Sequence, residues 1–232
     1  MTAGVAEIAG FQLGGPLGGP AADNPRGFFE HLSISQHHDR LLAEVGLEWH
    51  DPVDPLSLAS AAQLDRWRVE TAALFDEVAQ ELPHFCFKDP RTLRFLPLWH
   101  EVLAARGRSV AHVVAVRDPR HVVASLHRRN GLDPLHGERL WLFDHRQLLG
   151  HLRGYTAAVS FYDAAVAAPQ RLINIFQELL GVRSPAAVER AEAFVTRDLD
   201  HGPLADDIEM ELRDATKWYA TMAAAGRLVE QP

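Results

Sequence analysis

The chain has one cysteine, Cys86, in 232 residues. An internal disulfide is therefore excluded, and a thiol set inside the run Phe85-Cys86-Phe87 reads as packed rather than reactive. No apolar run approaches the roughly 20 residues that a membrane span needs, so no membrane partner is expected. Met1 to Pro20 contains no Lys or Arg, which leaves no basic n-region for a signal peptide. A cytoplasmic protein in a reducing compartment is the expectation. Thirteen histidines are present, but no His-Glu-x-x-His and no paired-cysteine motif. His37-His38 are adjacent, and His121 and His127 are badly spaced for one helical face, so no metal is expected.

What is present is a chain rich enough in apolar residues, at 47%, to bury a substantial core, and 1–232 reads as a single domain. The net charge of −8 is unevenly spread. Residues 88–129 hold nine Lys/Arg and three acids, a local balance of +6. A basic island in an acidic chain points to a small, highly charged anion and away from a nucleic-acid partner.

Two junctions of one kind lie in that island. The first is His-Phe-Cys-Phe-Lys88-Asp89-Pro90-Arg91, the second Ala-His-Val-Val-Ala-Val-Arg117-Asp118-Pro119-Arg120. Each places a long cation where an apolar run gives way to a helical pattern, the edge at which open α/β sheets bind ligands. Strands are predicted at 85–87, 110–116 and 157–161, the first two continuous enough to be buried on both faces of a parallel sheet. Apolar spacing predicts a short N-terminal helix carrying Val5, Ile8, Ala9 and Leu13. Further helices are predicted over 33–45, 57–82, 92–105, 119–129, 134–152, 170–180, 185–195 and 207–222, with Gly181 stopping the sixth of these. Strand–helix alternation gives an α/β fold class with three layers and a mostly parallel sheet.

Asp118-Pro119 and Asp89-Pro90 have a plain structural reading, because Asp caps a helix and Pro suits its first turn. That accounts for neither Arg117 nor Ser125, which together suit a phosphate, one as a bidentate fork and the other as a hydroxyl donor. Lys88, at the end of an apolar run, needs an anionic partner to offset desolvation. Asp89 is one candidate for that role, a ligand phosphate or sulfuryl group another.

Phe-Lys-Asp-Pro-Arg-Thr-Leu, then Val-Val-Ala-Val-Arg-Asp-Pro-Arg-His-Val-Val-Ala-Ser-Leu, then His-Arg-Arg-Asn-Gly-Leu resembles the sulfotransferases that use 3′-phosphoadenylyl sulfate, the bacterial branch above all. Asp23-Asn24-Pro25-Arg26-Gly27-Phe28-Phe29-Glu30, the 41–49 stretch, Leu140-Trp141 and the 159–181 segment extend the likeness over roughly residues 1–200. The resemblance implies a P-loop nucleotide-kinase-like fold and a nucleotide co-substrate, 3′-phosphoadenylyl sulfate (PAPS), without a metal. It assigns Arg117 and Ser125 to the nucleotide's 3′-phosphate. Lys88 falls to the sulfuryl group and leaving phosphate, and Glu30 to the general base, with His31 as the neighbouring alternative. The acceptor is then a hydroxyl or amine on a small molecule or carbohydrate. Trp49, Trp141, Phe143 and Tyr155 suit an aromatic acceptor pocket and core packing equally well. Neither acceptor identity nor oligomeric state is legible.

The family's other signature, a first strand with a Gly-x-x-Arg-Ser-Gly-Thr-Ser/Thr loop for the 5′-phosphosulfate, does not occur in this sequence. Impaired activity is the expectation, with a non-catalytic, truncated binding protein as the alternative. A nucleotide-kinase-like phosphotransferase is less well supported, since no Gly-x-x-x-x-Gly-Lys-Ser/Thr loop occurs. A start codon assigned too late would place that strand and loop ahead of Met1. The genomic DNA upstream of Met1 tests this: an in-frame apolar strand followed by that loop is expected, and an immediate stop codon favours the alternative.

Overall fold

A computed structural model describes residues 1–20, 27–79, 81–195, 215 and 219. Its elements run α1 (Thr2–Ala9), α2 (Leu32–Ala43), α3 (Pro55–Leu58), α4 (Ala61–Ala79), α5 (Thr92–Ala104), β1 (Ala111–Val116), α6 (Pro119–Asn130), α7 (Pro134–His151), β2 (Thr156–Phe161), α8 (Tyr162–Ala167), α9 (Pro169–Leu180) and α10 (Pro185–Phe194). The helix predicted over 207–222 lies outside the described residues, apart from Ala215 and Tyr219, both helical. So does the Asp23-to-Arg26 part of the sulfotransferase-like motif. None of the described helices is long and apolar enough to cross a membrane. The chain divides into two compact units, Gly10–Val110 and Met1–Ala9 with the chain from Ala111 onward.

Four of the ten described helices start by one local rule. Asp54, Asp118, Asp133 and Ser184 each accept a backbone N–H of the first turn, and a proline follows each of them. The cap satisfies a donor that has no partner inside the helix, and proline lacks the donor that would be orphaned. Gly181 ends α9 at φ +66°, a left-handed backbone that costs glycine nothing.

In the Gly10–Val110 unit the core is built from α2, α4 and α5. Trp67, Thr71, Phe75 and Ala79 recur every fourth residue and form the buried stripe of α4. They meet Ile34, Leu41 and Leu42 from α2, and Phe95, Leu98, Trp99 and Val102 from α5. On α5 Phe95, Leu96, Leu98, Trp99 and Val102 are buried, while Leu93 and Leu103 are partly buried. The Trp67 indole donates to Glu44 Oε2 at 2.8 Å, so a large ring is buried without an orphaned N–H.

One predicted strand is corrected. Phe85-Cys86-Phe87 forms a single parallel bridge with Gln12 rather than a strand. Gln12 donates to the His84 carbonyl and accepts from the Cys86 N–H, each at 2.9 Å. The pairing goes no further because Gly14, at φ +66°, and then Gly15-Pro16 turn the partner segment away.

In the other unit β1 and β2 pair in parallel with Val116 opposite Phe161, a connection made through α6 and α7. The fold is α/β as expected, but the described sheet has two strands. On β1 only Val114 and Val116 are buried, so it is not covered on both faces as its apolar run implied. Helix α1 packs on α9 and α10, and Arg190 ties α10 back to the Ile8 carbonyl at 3.2 Å.

His37 donates through Nε2 to Thr71 Oγ1 at 2.8 Å and accepts at Nδ1 from Arg40 at 3.0 Å. Burial, with His38 and Arg40 beside it, holds its pKa down to about 4 from 6.5. Between those values the unfolded chain carries the extra proton, so stability falls as the pH falls. A urea-denaturation series should show a loss of up to about 3 kcal/mol between pH 6.5 and 4 from this residue. His37→Gln should flatten that part of the profile. An equal slope in both proteins would refute the assignment.

Candidate functional site

The structure brings Lys88 and Glu30 together. Lys88 Nζ lies 2.5 Å from Glu30 Oε1, and the Arg91 guanidinium lies 3.6 Å from Glu30 Oε2. The anionic partner that Lys88 requires is thus Glu30, and not Asp89 in the adjoining position. Glu30 is held by its backbone as well. Residues 28–32 run antiparallel to 16–18, through Gly18 N–H to the Glu30 carbonyl at 2.8 Å and Leu32 N–H to the Pro16 carbonyl at 2.9 Å. Phe29, just before Glu30, sits at φ +55°, the one non-glycine residue with positive φ among the described residues. Such a backbone costs on the order of 1 kcal/mol or more and persists where its surroundings impose it.

Behind this pair lies a chain of polar contacts that the sequence did not reveal. Arg91 donates to Asp89 through its backbone N–H at 3.1 Å and through Nε at 2.8 Å. Its NH1 group donates to Asp39 at 2.6 Å. Asp89 Oδ2 accepts from His38 Nδ1 at 2.7 Å, and both side chains are fully buried. His38 Nε2 accepts from the Trp99 indole at 2.9 Å. An indole N–H only donates, so Nε2 carries the lone pair and the His38 proton is on Nδ1, aimed at Asp89. His38 also stacks on Phe95, with ring centroids 5.1 Å apart. Burial pushes the Asp89 pKa up, but the His38 N–H and Arg91 outweigh it and leave the carboxyl below its usual range.

His31, the alternative base, is 1% exposed. Its ring packs edge-on against Phe85, and neither nitrogen has a well-formed hydrogen bond among the described residues. Burial lowers its pKa, with the Gly15 backbone in partial opposition. It belongs to the packing around residues 14–18, and Glu30 is the one that meets the cations. Cys86 is equally inert, its thiol pushed up to about 11 by burial.

Arg117 and Ser125 belong to the other unit. Arg117 is the first residue after β1 and Tyr162 the first after β2. The register that sets Val116 beside Phe161 brings the Arg117 guanidinium 4.5 Å above the Tyr162 ring. At that distance the ring face attracts the guanidinium as a cation. Ser125 is half-buried on α6. Asp118 performs the capping role expected of it: Oδ1 accepts the Arg120 N–H at 2.9 Å, and the Arg120 guanidinium lies 2.6 Å from Oδ2. Tyr219 stands 5.8 Å from Phe161, centroid to centroid, and burial with Asp163 and Asp118 nearby raises its pKa. Neither tyrosine carries a signal in the sequence; only strand register makes Tyr162 a neighbour of Arg117.

The +6 island is not a free field. Arg106 is paired with Asp76 at 2.5 Å, Arg108 reaches the Ala79 and Leu82 carbonyls at 3.4 Å, and Arg120 is held by Asp118. Asp76, like Glu30 and Asp39, comes from outside the island, so a local count overstated its charge. Trp49 packs against the core of its unit, and Trp141 is buried with His145 stacked on it at 3.8 Å; packing accounts for both.

No protein-family model, no curated protein and no solved structure matches the chain.

The cap expected of Asp89 does not form: α5 starts at Thr92 with no side-chain cap, and Asp89 accepts the Arg91 N–H in the turn before it. Asparagine keeps an oxygen that can accept that N–H, as it can at Asp118, so Asp→Asn at the two junctions isolates what each negative charge does. Asp89→Asn leaves Arg91 and the buried His38 proton without their anion and should cost about 3–5 kcal/mol. Asp118→Asn, beside a half-exposed Arg120, should cost about 1 kcal/mol or less. Equal losses in chemical denaturation would contradict this ranking.

Proposed function

We propose that the protein binds 3′-phosphoadenylyl sulfate and transfers its sulfuryl group to a hydroxyl or amine of a small-molecule or carbohydrate acceptor, as a sulfotransferase-like enzyme. The observation that carries this reading is the position of Arg117. It stands at the carboxyl edge of a parallel strand pair, its guanidinium stacked on Tyr162, immediately before a capped helix. This is the edge at which α/β sheets receive nucleotides. A guanidinium suits the bidentate recognition of a phosphate, and the half-buried Ser125 hydroxyl is a second donor on the following helix.

The Lys88–Glu30 pair supplies the groups that the chemistry needs. The acceptor oxygen or nitrogen attacks sulfur as the bond from sulfur to the bridging phosphate oxygen breaks. That oxygen leaves with the electron pair, as part of adenosine 3′,5′-bisphosphate. Lys88 meets charge that grows on the departing oxygen, an interaction stronger in the transition state than before it. Glu30 accepts the proton that the acceptor loses. The three-layer sulfotransferase fold belongs to the same proposal.

Affinity is the appropriate readout, since the sequence contains no Gly-x-x-Arg-Ser-Gly-Thr loop for the 5′-phosphosulfate. Calorimetry with adenosine 3′,5′-bisphosphate should show binding that weakens roughly 10- to 100-fold in Arg117→Ala, the usual value of a charge-assisted contact. Ser125→Ala should weaken it by about 5-fold or more. Equal affinity in all three proteins removes the assignment.

A further inference from the structure

The two Asp-Pro-Arg junctions share one local geometry, yet only the first is backed by buried polar groups. A helix cap does not require them. Asp118 caps α6 and binds Arg120, whereas Asp89 binds Arg91 in a turn ahead of α5 without capping it, and also engages the fully buried His38, itself fixed by Trp99. The additional groups bear on one thing, the placement of the Arg91 guanidinium. Asp89 holds its Nε and Asp39 holds NH1, which leaves NH2 on the side of Glu30.

Glu30 is therefore gripped as an oxyanion is gripped. One carboxylate oxygen meets an ammonium and the other a guanidinium, the donor set that binds phosphate and sulfate. The Arg91 and Glu30 side chains are each 18% exposed, against 43% for Lys88, so the ammonium is the open side of this arrangement. Glu30 needs no great persuasion to leave. A lysine–carboxylate pair with that much exposure contributes only about 0–1 kcal/mol, and the left-handed Phe29 backbone beside it opposes the conformation.

We propose that Lys88 and Arg91 form an oxyanion-binding site in which the Glu30 carboxylate is the resident counter-ion, and that an incoming phosphate or sulfuryl group displaces it. In its sulfuryl form this rests on the function proposed above; the oxyanion site itself does not. The exchange is balanced, since Lys88 gives up one anion for another and no proton moves. Its consequence is an order of events. Glu30 is neutralised by Lys88 until the donor group is seated, and only then is its carboxylate released to accept the acceptor's proton. Donor occupancy and base availability become one step.

Lys88 and Lys217 are the lysines of this sequence, so protein labelled with 13C at the lysine ε-carbon reports on Lys88 with little overlap. Inorganic phosphate and, separately, inorganic sulfate are titrated at fixed low ionic strength into the wild type, Glu30→Gln and Asp39→Asn, following the Lys88 resonance. Both variants lose one negative charge next to Arg91, but only Glu30→Gln removes the anion that lies between Arg91 and Lys88. The expected result is binding at least tenfold tighter in Glu30→Gln than in the wild type, little changed in Asp39→Asn, and lost again in Glu30→Gln/Arg91→Gln. Equal tightening by Glu30→Gln and Asp39→Asn would mean charge alone is responsible and overturns the proposal. So would tightening that survives the Arg91 substitution. Adenosine 3′,5′-bisphosphate binding through Arg117 is measured on the same proteins. If Arg117→Ala leaves that binding unchanged while the Glu30→Gln effect stands, the nucleotide reading falls and the oxyanion site remains.

Discussion

The Asp89 carboxylate is the point on which the Gly10–Val110 unit turns. It is fully buried, and a buried carboxylate is tolerated only when its lone pairs are met. They are met by a backbone N–H and the Nε–H of Arg91, and by the His38 Nδ1–H. Each partner belongs to a different requirement. The backbone bond starts the chain toward α5, the guanidinium sets the charge near Glu30, and the imidazole ties α2 to α5 through Trp99. One ionised group therefore links helix initiation, core assembly and the electrostatics of a surface site. The weak links lie at the rim, where Lys88 and Asp39 are about half exposed, and water competes with every ion pair.

This arrangement also explains which parts of the molecule were legible in the sequence. Helices α5, α6, α7, α9 and α10 follow local rules, a capping residue or proline at the start and glycine or a break in apolar period at the end. Those rules operate within a few residues, and the predicted bounds agree with the observed ones to within a residue or two. Strands β1 and β2 were visible as apolar runs. The run at Phe85-Cys86-Phe87 looked the same but lacks a partner segment able to extend beyond Gln12, because strand formation depends on a neighbour that the run itself does not encode. The short α8 was missed for a related reason: six residues at Tyr162–Ala167 are too few to establish a helical period.

The site divides in the same way. Residue types at the junctions were readable, and so was the need of Lys88 for an anion. The identity of that anion was not. Glu30 is 58 positions away in sequence, Asp39 is 52 from Arg91, and His38 is 51 from Asp89. Nothing in the spacing of Asp-Pro-Arg distinguishes the junction that recruits a buried histidine from the one that does not. The charge island misled for the same reason, since net charge summed along a segment ignores acids such as Asp76 that folding brings to it.

Comparing the two junctions separates what local sequence determines from what the fold adds. In both, Asp accepts the backbone N–H and the side-chain Nε–H of the arginine two positions on, so Asp-Pro-Arg is a self-contained turn that ties a cation to a carboxylate, and at Asp118 it also opens a helix. The cation before the aspartate is not part of that turn. Lys88 is directed to a carboxylate and Arg117 to an aromatic face, and the chemistry differs accordingly. An ammonium held by an exposed carboxylate can exchange that anion for another at little cost. A guanidinium over a ring gains an attraction that does not depend on a counter-ion. The first is suited to a group whose charge changes during a reaction, the second to a group that is only held.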